Sequence, residues 1–164
     1  MNFHNITYPD MNNGSGLRVV LWLSGCSHRC KGCQNPQTWD INSGILFDEY
    51  AKEELFRELS KDYISGITFS GGDPLHPDNS LDVENLMKEI KEKYSNKTIW
   101  LYTGSKWKNI CQLPLMQYVD VCVDGEFIAE LKDISLHWKG SSNQRVINVQ
   151  ESLKKGEVIL WDTN

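Results

Sequence analysis

The chain has 164 residues, 40% of them apolar and 24% charged, with a formal net charge of -5. Residues 1–164 are therefore expected to form a single domain with a proper core, and the acidic balance speaks against an electrostatic grip on nucleic acid or an anionic membrane. Its longest apolar run is far below the roughly 20 residues of a membrane span, its first 16 residues are polar rather than leader-like, and five cysteines with three clustered do not make a disulfide framework, so a cytoplasmic location is expected.

Residues 1–16 carry turn chemistry in Tyr8-Pro9-Asp10 and Asn12-Asn13-Gly14-Ser15-Gly16, and His4 reads as a surface residue. The first expected strand covers 18–24, where Val19-Val20-Leu21-Trp22-Leu23 stops at Ser24-Gly25. Next come Cys26-Ser27-His28-Arg29-Cys30-Lys31-Gly32-Cys33 and Gln34-Asn35-Pro36, whose proline pushes Asn35 away from helix. Apolar positions 47, 51, 55, 56 and 59 predict a helix over 47–59, with Asp48 and Glu49 at its favourable end. A second strand over 64–69 runs into Ser70-Gly71-Gly72-Asp73-Pro74, and His76-Pro77 continues that loop. A helix over 81–94 places Val83, Leu86, Met87 and Ile90 on one face, and a strand over 98–102 ends at Gly104. Further on, a short helix is predicted over 106–111, a strand over 118–123 ending at Asp124-Gly125, and one helical turn over 127–131. After the polar stretch 138–145 come a strand over 145–149, a short helix over 150–155 and a last strand over 158–161.

Strands and helices alternate from residue 18 onward, which predicts a parallel sheet with right-handed crossovers. A closed eight-stranded barrel takes about 250 residues, so the expected α/β fold is a partial, open (β/α) barrel of about five or six mainly parallel strands.

The chemistry concentrates in Cys26, Cys30 and Cys33, a Cys-x3-Cys-x2-Cys spacing at a strand's carboxyl end. That is where α/β proteins place their sites. Spacings this short let one loop wrap several sulfurs around a single centre, but three ligands leave a four-ligand site one short. Two readings stand. In one, His28, Cys111 or Cys122 completes the tetrahedron of a zinc-containing binding module. In the other, the thiolates hold a 4Fe-4S cluster whose remaining iron is open to a small molecule. Cys122, alternating with Val121 and Val123, reads as a small buried hydrophobe. The Gly71-Gly72 pair permits close backbone approach to a ligand, and Asp73 sets a charge beside it. If the first two predicted strands are neighbours, this turn faces the cysteine loop.

Taken together, Cys26, Cys30, Cys33 and Gly71-Gly72-Asp73-Pro74 resemble the radical S-adenosylmethionine superfamily, whose cysteine loop and Gly-Gly-acidic-Pro turn occur in this order. More narrowly, Ser24-Gly25-Cys26, Asn35-Pro36, Thr38-Trp39, Leu75-His76-Pro77, Val123-Asp124-Gly125-Glu126-Phe127 and Trp138-Lys139-Gly140-Ser141-Ser142-Asn143-Gln144 resemble the activating proteins of the anaerobic ribonucleoside-triphosphate reductase, over about residues 4–148. One departure is Gly32, where many superfamily members carry an aromatic residue.

The resemblance implies a radical S-adenosylmethionine oxidoreductase with a 4Fe-4S cluster on Cys26, Cys30 and Cys33. S-adenosylmethionine would be held by Gly32, Cys33, Gln34, Gly71 and Gly72, with Asp73 orienting its ammonium. An external electron donor (flavodoxin or similar) would drive its cleavage to a 5′-deoxyadenosyl radical. That radical would generate a glycyl radical on the reductase's large catalytic subunit, and no side chain is expected to act as acid or base. An activase for another glycyl-radical enzyme is the neighbouring alternative. The segment Ser141-Ser142-Asn143-Gln144, with Trp138 and Arg145, is expected to present or dock the partner.

Overall fold

The computed structural model describes residues 1–161. In chain order its elements are β1 (Asn2–Asp10), β2 (Leu17–Leu23), β3 (Ile45–Leu46), α1 (Glu49–Leu59), β4 (Ile64–Gly71), α2 (Ser80–Lys93), β5 (Thr98–Tyr102), α3 (Trp107–Ile110), β6 (Val121–Asp124), β7 (Arg145–Asn148) and α4 (Val149–Lys155). The strands form one sheet in the order β3-β1-β2-β4-β5-β6-β7. Its centre is parallel, β2 to β4, β4 to β5 and β5 to β6. The flanks are antiparallel, β1 against β2 and β3, and β7 against β6. The sheet is open, with β3 and β7 at its two ends. No helix among the described residues is long and apolar enough to cross a membrane.

The mainly parallel, open sheet is as expected, but it has seven strands rather than five or six, because antiparallel strands are added at both flanks. Residues 2–10 are a strand, not turns. Phe3 and Ile6 bury their side chains while two register shifts interrupt the ladder, so no clean alternation marks the run. Pro9 is tolerated because the short β3 pairs only with Asn2 and Phe3, leaving the outer edge of β1 beside Pro9 free. At the other flank, residues 125–144 contain only a one-turn 3-10 helix, Ala129–Leu131. A parallel return needs a crossover that packs back on the sheet, and without one β7 comes back antiparallel. The last expected strand is a single bridge, Leu160 to Ile147.

Period-two alternation divides the sheet into two faces. Val19, Leu21, Leu23, Ile67, Phe69, Ile99, Leu101, Cys122 and Ile147 meet α1 and α2 in the main core. Asp48 caps α1 by accepting from the Ala51 N–H at 3.0 Å. The opposite face carries Trp22, Thr68, Ser70, Trp100, Tyr102, Val121, Val123 and Val146, with Trp138 and Trp161 packed over its second cluster.

Arg18, wholly buried, pins the lower end of this second face. Its guanidinium donates to Thr68 Oγ1 at 2.8 Å, the Ile67 carbonyl at 2.7 Å and the Thr98 carbonyl at 2.9 Å, and lies 5.5 Å from the Trp100 ring centroid. Burial lowers its pKa to about 10, so it remains charged at neutral pH and ties β2, β4 and β5 together. Arg18→Leu strands these acceptors without a donor, and a loss of about 2–4 kcal/mol in urea unfolding is expected.

Candidate metal centre

The parallel strands end on one edge, and the loops behind them build one cavity of about 230 Å³. Its wall includes Cys26, Cys30 and Cys33 behind β2, Gly71 and Gly72 at β4, Thr103 and Gly104 behind β5, and Gly125 behind β6. The upper inward positions Trp22, Ser70 and Tyr102 form its floor.

The cysteine loop is fastened on two sides. Beside it, the Gly25 N–H donates to the Thr38 carbonyl at 2.7 Å and the Cys26 N–H to the Trp39 carbonyl at 3.0 Å. A 3-10 turn, Pro36–Thr38, starts on Pro36 and presents these two carbonyls. Across from it, the Gly72 N–H donates to the Leu23 carbonyl at 2.8 Å and the Asp73 N–H to the Gly25 carbonyl at 2.7 Å. The glycine turn therefore faces the cysteine loop and is hydrogen-bonded to its root. A Cβ at Gly72 would sit 2.4 Å from the Gly25 carbonyl oxygen. Close approach of protein to protein requires this glycine whether or not a ligand is present.

Behind the cavity wall lies a charged hub. Asp73 is buried and does not line the cavity. Its Oδ1 accepts from the Leu75 N–H at 2.9 Å, and its Oδ2 from the Thr103 hydroxyl at 3.0 Å and His28 Nε2 at 2.8 Å. Nδ1 of His28 lies 2.8 Å from Glu126 Oε1. The hydrogen bond that His28 donates to Asp73, aided by Glu126 and opposed by burial, pushes the His28 pKa up to about 9. Both ring nitrogens are engaged by carboxylate oxygens, of Asp73 and of Glu126, rather than left to a metal.

Of the residues expected around S-adenosylmethionine, Cys33, Gln34, Gly71 and Gly72 line the cavity, whereas Gly32 and Asp73 do not. Gly32 turns the loop at φ 75 on its exposed side. The other two cysteines lie elsewhere: Cys122 is buried in the main core and Cys111 packs against it. The zinc reading thus loses all three candidate fourth ligands. Among the described residues, no three His, Cys, Asp or Glu side chains gather as a single ion requires. A zinc ion draws its donors to roughly 2.0–2.3 Å, whereas a cubane takes its thiolates at separate corners. Three soft sulfurs spread along one cavity wall fit a cluster. Cys33 Sγ already accepts from the Asn35 N–H at 3.3 Å, a contact suited to a cluster thiolate.

The strap 125–144 closes the side of the cavity with Phe127, Gly140 and Gln144. Its polar motif divides, with Ser141 and Gln144 turned into the strap and Ser142 and Asn143 left exposed. Ser141 is fully buried, and its Oγ accepts from the Ile128 N–H at 3.2 Å. Gln144 Oε1 accepts from the Gly140 N–H at 2.9 Å while its Nε2 donates to the Gly125 carbonyl at 2.9 Å. Asn143 Nδ2 donates to the Glu126 carbonyl at 2.8 Å, and Trp138 packs edge-on against Trp100 at 5.7 Å. Through Ser141, Asn143 and Gln144 the motif staples the strap. Gln144→Ala is expected to speed amide exchange across 125–141 at least tenfold, with little change in the global unfolding midpoint. Exchange mass spectrometry checks this.

The inward positions Trp22, Ser70 and Tyr102 were findable from strand alternation once the strand ends were taken as the site. Thr103, Phe127 and the Glu126 contact to His28 had no such signal, because they depend on how loops fold back.

Fold and site together define an open-sheet α/β protein built around a 4Fe-4S single-cluster domain, and the model of that domain family matches residues 12–147. The chain is 45% identical over 146 residues to the anaerobic ribonucleoside-triphosphate reductase-activating protein of Enterobacteria phage T4, covering 89% of this chain and 93% of that protein. It is 43% identical over 150 residues to the protein of the same name from Escherichia coli (strain K12), covering 89% and 97%. For that from Haemophilus influenzae the identity is 41% over 151 residues, covering 88% and 96%. The chain belongs to the family of anaerobic ribonucleoside-triphosphate reductase-activating proteins.

Proposed function

We propose that this chain activates an anaerobic ribonucleoside-triphosphate reductase by a radical S-adenosylmethionine mechanism, on a single domain with the partial-barrel geometry of that superfamily. One observation carries the reading: the Cys26–Cys30–Cys33 loop and the Gly71-Gly72 turn line one cavity, and Gly72 and Asp73 donate to the Leu23 and Gly25 carbonyls at the root of that loop. Cys26, Cys30 and Cys33 are assigned as the ligands of a 4Fe-4S cluster with one iron left to S-adenosylmethionine. When bound, the pair supplies reductive cleavage, in which one electron from an external donor breaks the sulfonium C–S bond and the adenosyl fragment takes a hydrogen atom from a glycine of the reductase.

The chain's own part is to hold, orient and shield. Burial pushes up the Cys26 and Cys30 thiols, so a cationic centre is needed to keep them as thiolates. Gly71, Gly72 and Gln34 offer backbone and amide groups to the polar end of S-adenosylmethionine. Asp73, behind the cavity wall, holds His28 and so fixes the middle of the cysteine loop. Trp22, Tyr102 and Phe127 present apolar surface that excludes water from a reactive intermediate. No side chain is assigned as acid or base, since the chemistry lies in the cofactors.

The test is anaerobic reconstitution with iron and sulfide, then mixing with reductase, S-adenosylmethionine and dithionite under electron paramagnetic resonance. A glycyl radical signal on the reductase, with one methionine released per S-adenosylmethionine consumed, is the expected result. Cleavage without any radical on the reductase would point to another glycyl-radical partner.

A further inference from the structure

The strap carries apolar side chains on its outer side. Ile128, Leu131 and Ile134 are all exposed, and Ile134, at 94%, is the most exposed large apolar residue among those described. A lone apolar residue on a surface says little, but this one is held in place. Residues 131–142 fold into a small hairpin closed by the Lys132–Ser141 bridge, with the Ser142 N–H donating to the Leu131 carbonyl at 3.0 Å. At its tip the Asp133 carboxylate accepts from the Ser135 N–H at 2.8 Å and the Asp133 carbonyl from the Leu136 N–H at 3.3 Å. This tight turn throws Ile134 outward. Behind the tip lies a second hollow of about 310 Å³, lined by Ile134 and Leu136 from the strap and by Asn12. It shares Asn13, Gln34, Tyr102 and Gly140 with the wall of the cysteine cavity, so the two hollows are neighbours. Asn12 is exposed, and its side-chain amide has no partner among the described residues.

We propose that the hollow between Asn12 and the strap tip is the port by which the reductase's glycine-bearing segment reaches the cysteine cavity, with Ile134 as its apolar anchor. The inference rests on the function proposed above and names where that partner binds. The reaction takes a hydrogen atom from a glycine, which offers no side chain to recognise. Selection therefore falls to the peptide backbone around that glycine and to a neighbouring side chain. An amide that both donates and accepts suits the first, and a fixed apolar anchor suits the second. Asn12 and Ile134 supply one of each beside the cavity in which the radical is formed. Neither they nor Leu136 line the cysteine cavity itself, so docking and cofactor cleavage are separable.

The experiment uses the full chain, reconstituted anaerobically with iron and sulfide, and the whole reductase. Ile134→Asp is expected to weaken reductase binding roughly tenfold to a hundredfold, the worth of one buried isoleucine side chain. Its dithionite-driven cleavage of S-adenosylmethionine without reductase stays at the parent rate, while its glycyl radical yield falls at limiting reductase and recovers at excess. Leu46→Asp is an equally drastic change at an exposed residue on the far flank of the sheet, and it is expected to leave all three unchanged. Parental binding by Ile134→Asp overturns the proposal, as does equal weakening by Leu46→Asp. A second measurement places the occupant. A chain carrying p-benzoylphenylalanine at position 134 is irradiated in the complex, and the cross-link is expected in the reductase peptide that carries the radical glycine. A cross-link found only elsewhere on the reductase refutes the port. Binding of the parent chain to the reductase is measured first. Its absence would sink the function reading and the port with it, a result distinct from parental binding by Ile134→Asp.

Discussion

Cys30→Ala protein, reconstituted anaerobically with iron and sulfide, is expected to lose essentially all 4Fe-4S absorbance and iron, while Cys122→Ala keeps both. The difference follows from where each sulfur sits. Cys30 lines the cavity with Cys26 and Cys33, and the two remaining cysteines of the chain lie elsewhere. Loss of one thiolate therefore leaves two, with no neighbour to substitute. His28 does not rescue the site because both its nitrogens are engaged by Asp73 and Glu126. Cys122 lies wholly buried between Val121 and Val123, its thiol pushed far up by burial and so kept protonated. Cys122→Ala removes one buried sulfur, at a cost of about 1 kcal/mol in stability and nothing in iron. Iron and acid-labile sulfide per chain decide the matter. Parental iron in Cys30→Ala, or its loss from folded Cys122→Ala, would break the ligand assignment.

What the sequence discloses about this molecule depends on how local each feature is. Residues 98–102 and 64–69 are legible as strands because β-branched and aromatic residues there end at glycine, and β5 and β4 stand where that pattern puts them. The helices α1 and α2 are legible from apolar spacing for the same reason. β1 is hidden because its pairing is bulged and its composition is that of turns, so only its antiparallel partner makes it a strand. The direction of β7 is hidden because it is set by the strap before it and not by Arg145–Asn148 itself. The site divides in the same way. Three cysteines in one loop announce themselves, whereas the side of the wall on which Asp73 stands is decided by Thr103, Gly104 and His28, distant in sequence. Likewise, the polar run 141–144 reads as exposed from composition, yet Ser141 and Gln144 spend their hydrogen bonds inside the strap.

Gly72→Val is expected to abolish cluster assembly as well as S-adenosylmethionine binding, a larger effect than loss of a ligand contact alone. The sequence motif assigns this glycine to the cofactor, and a branched side chain in the cavity would obstruct the methionine end. The geometry adds an earlier failure. Even the first carbon of a side chain would lie 2.4 Å from the Gly25 carbonyl oxygen, 2.9 Å from its carbon and 3.1 Å from its nitrogen. These are backbone atoms, so no rotamer relieves the clash, and either the glycine turn or the cysteine loop must move. Gly25 is the residue before Cys26, and its carbonyl also accepts the Asp73 N–H. Pushing it away breaks that bond, displaces the first thiolate and frees Asp73 from its place behind the wall. Overpacking of this kind costs about 1–3 kcal/mol in stability, a loss the main core on the other face of the sheet can absorb. The variant should therefore remain folded by circular dichroism while iron uptake falls by at least tenfold. Because Gly72→Ala places only the clashing carbon and little bulk in the cavity, it separates the two causes. Reduced iron in Gly72→Ala assigns the glycine to the cysteine loop. Full iron with S-adenosylmethionine binding lost only in Gly72→Val assigns it to the cofactor alone, and the loop-contact account fails.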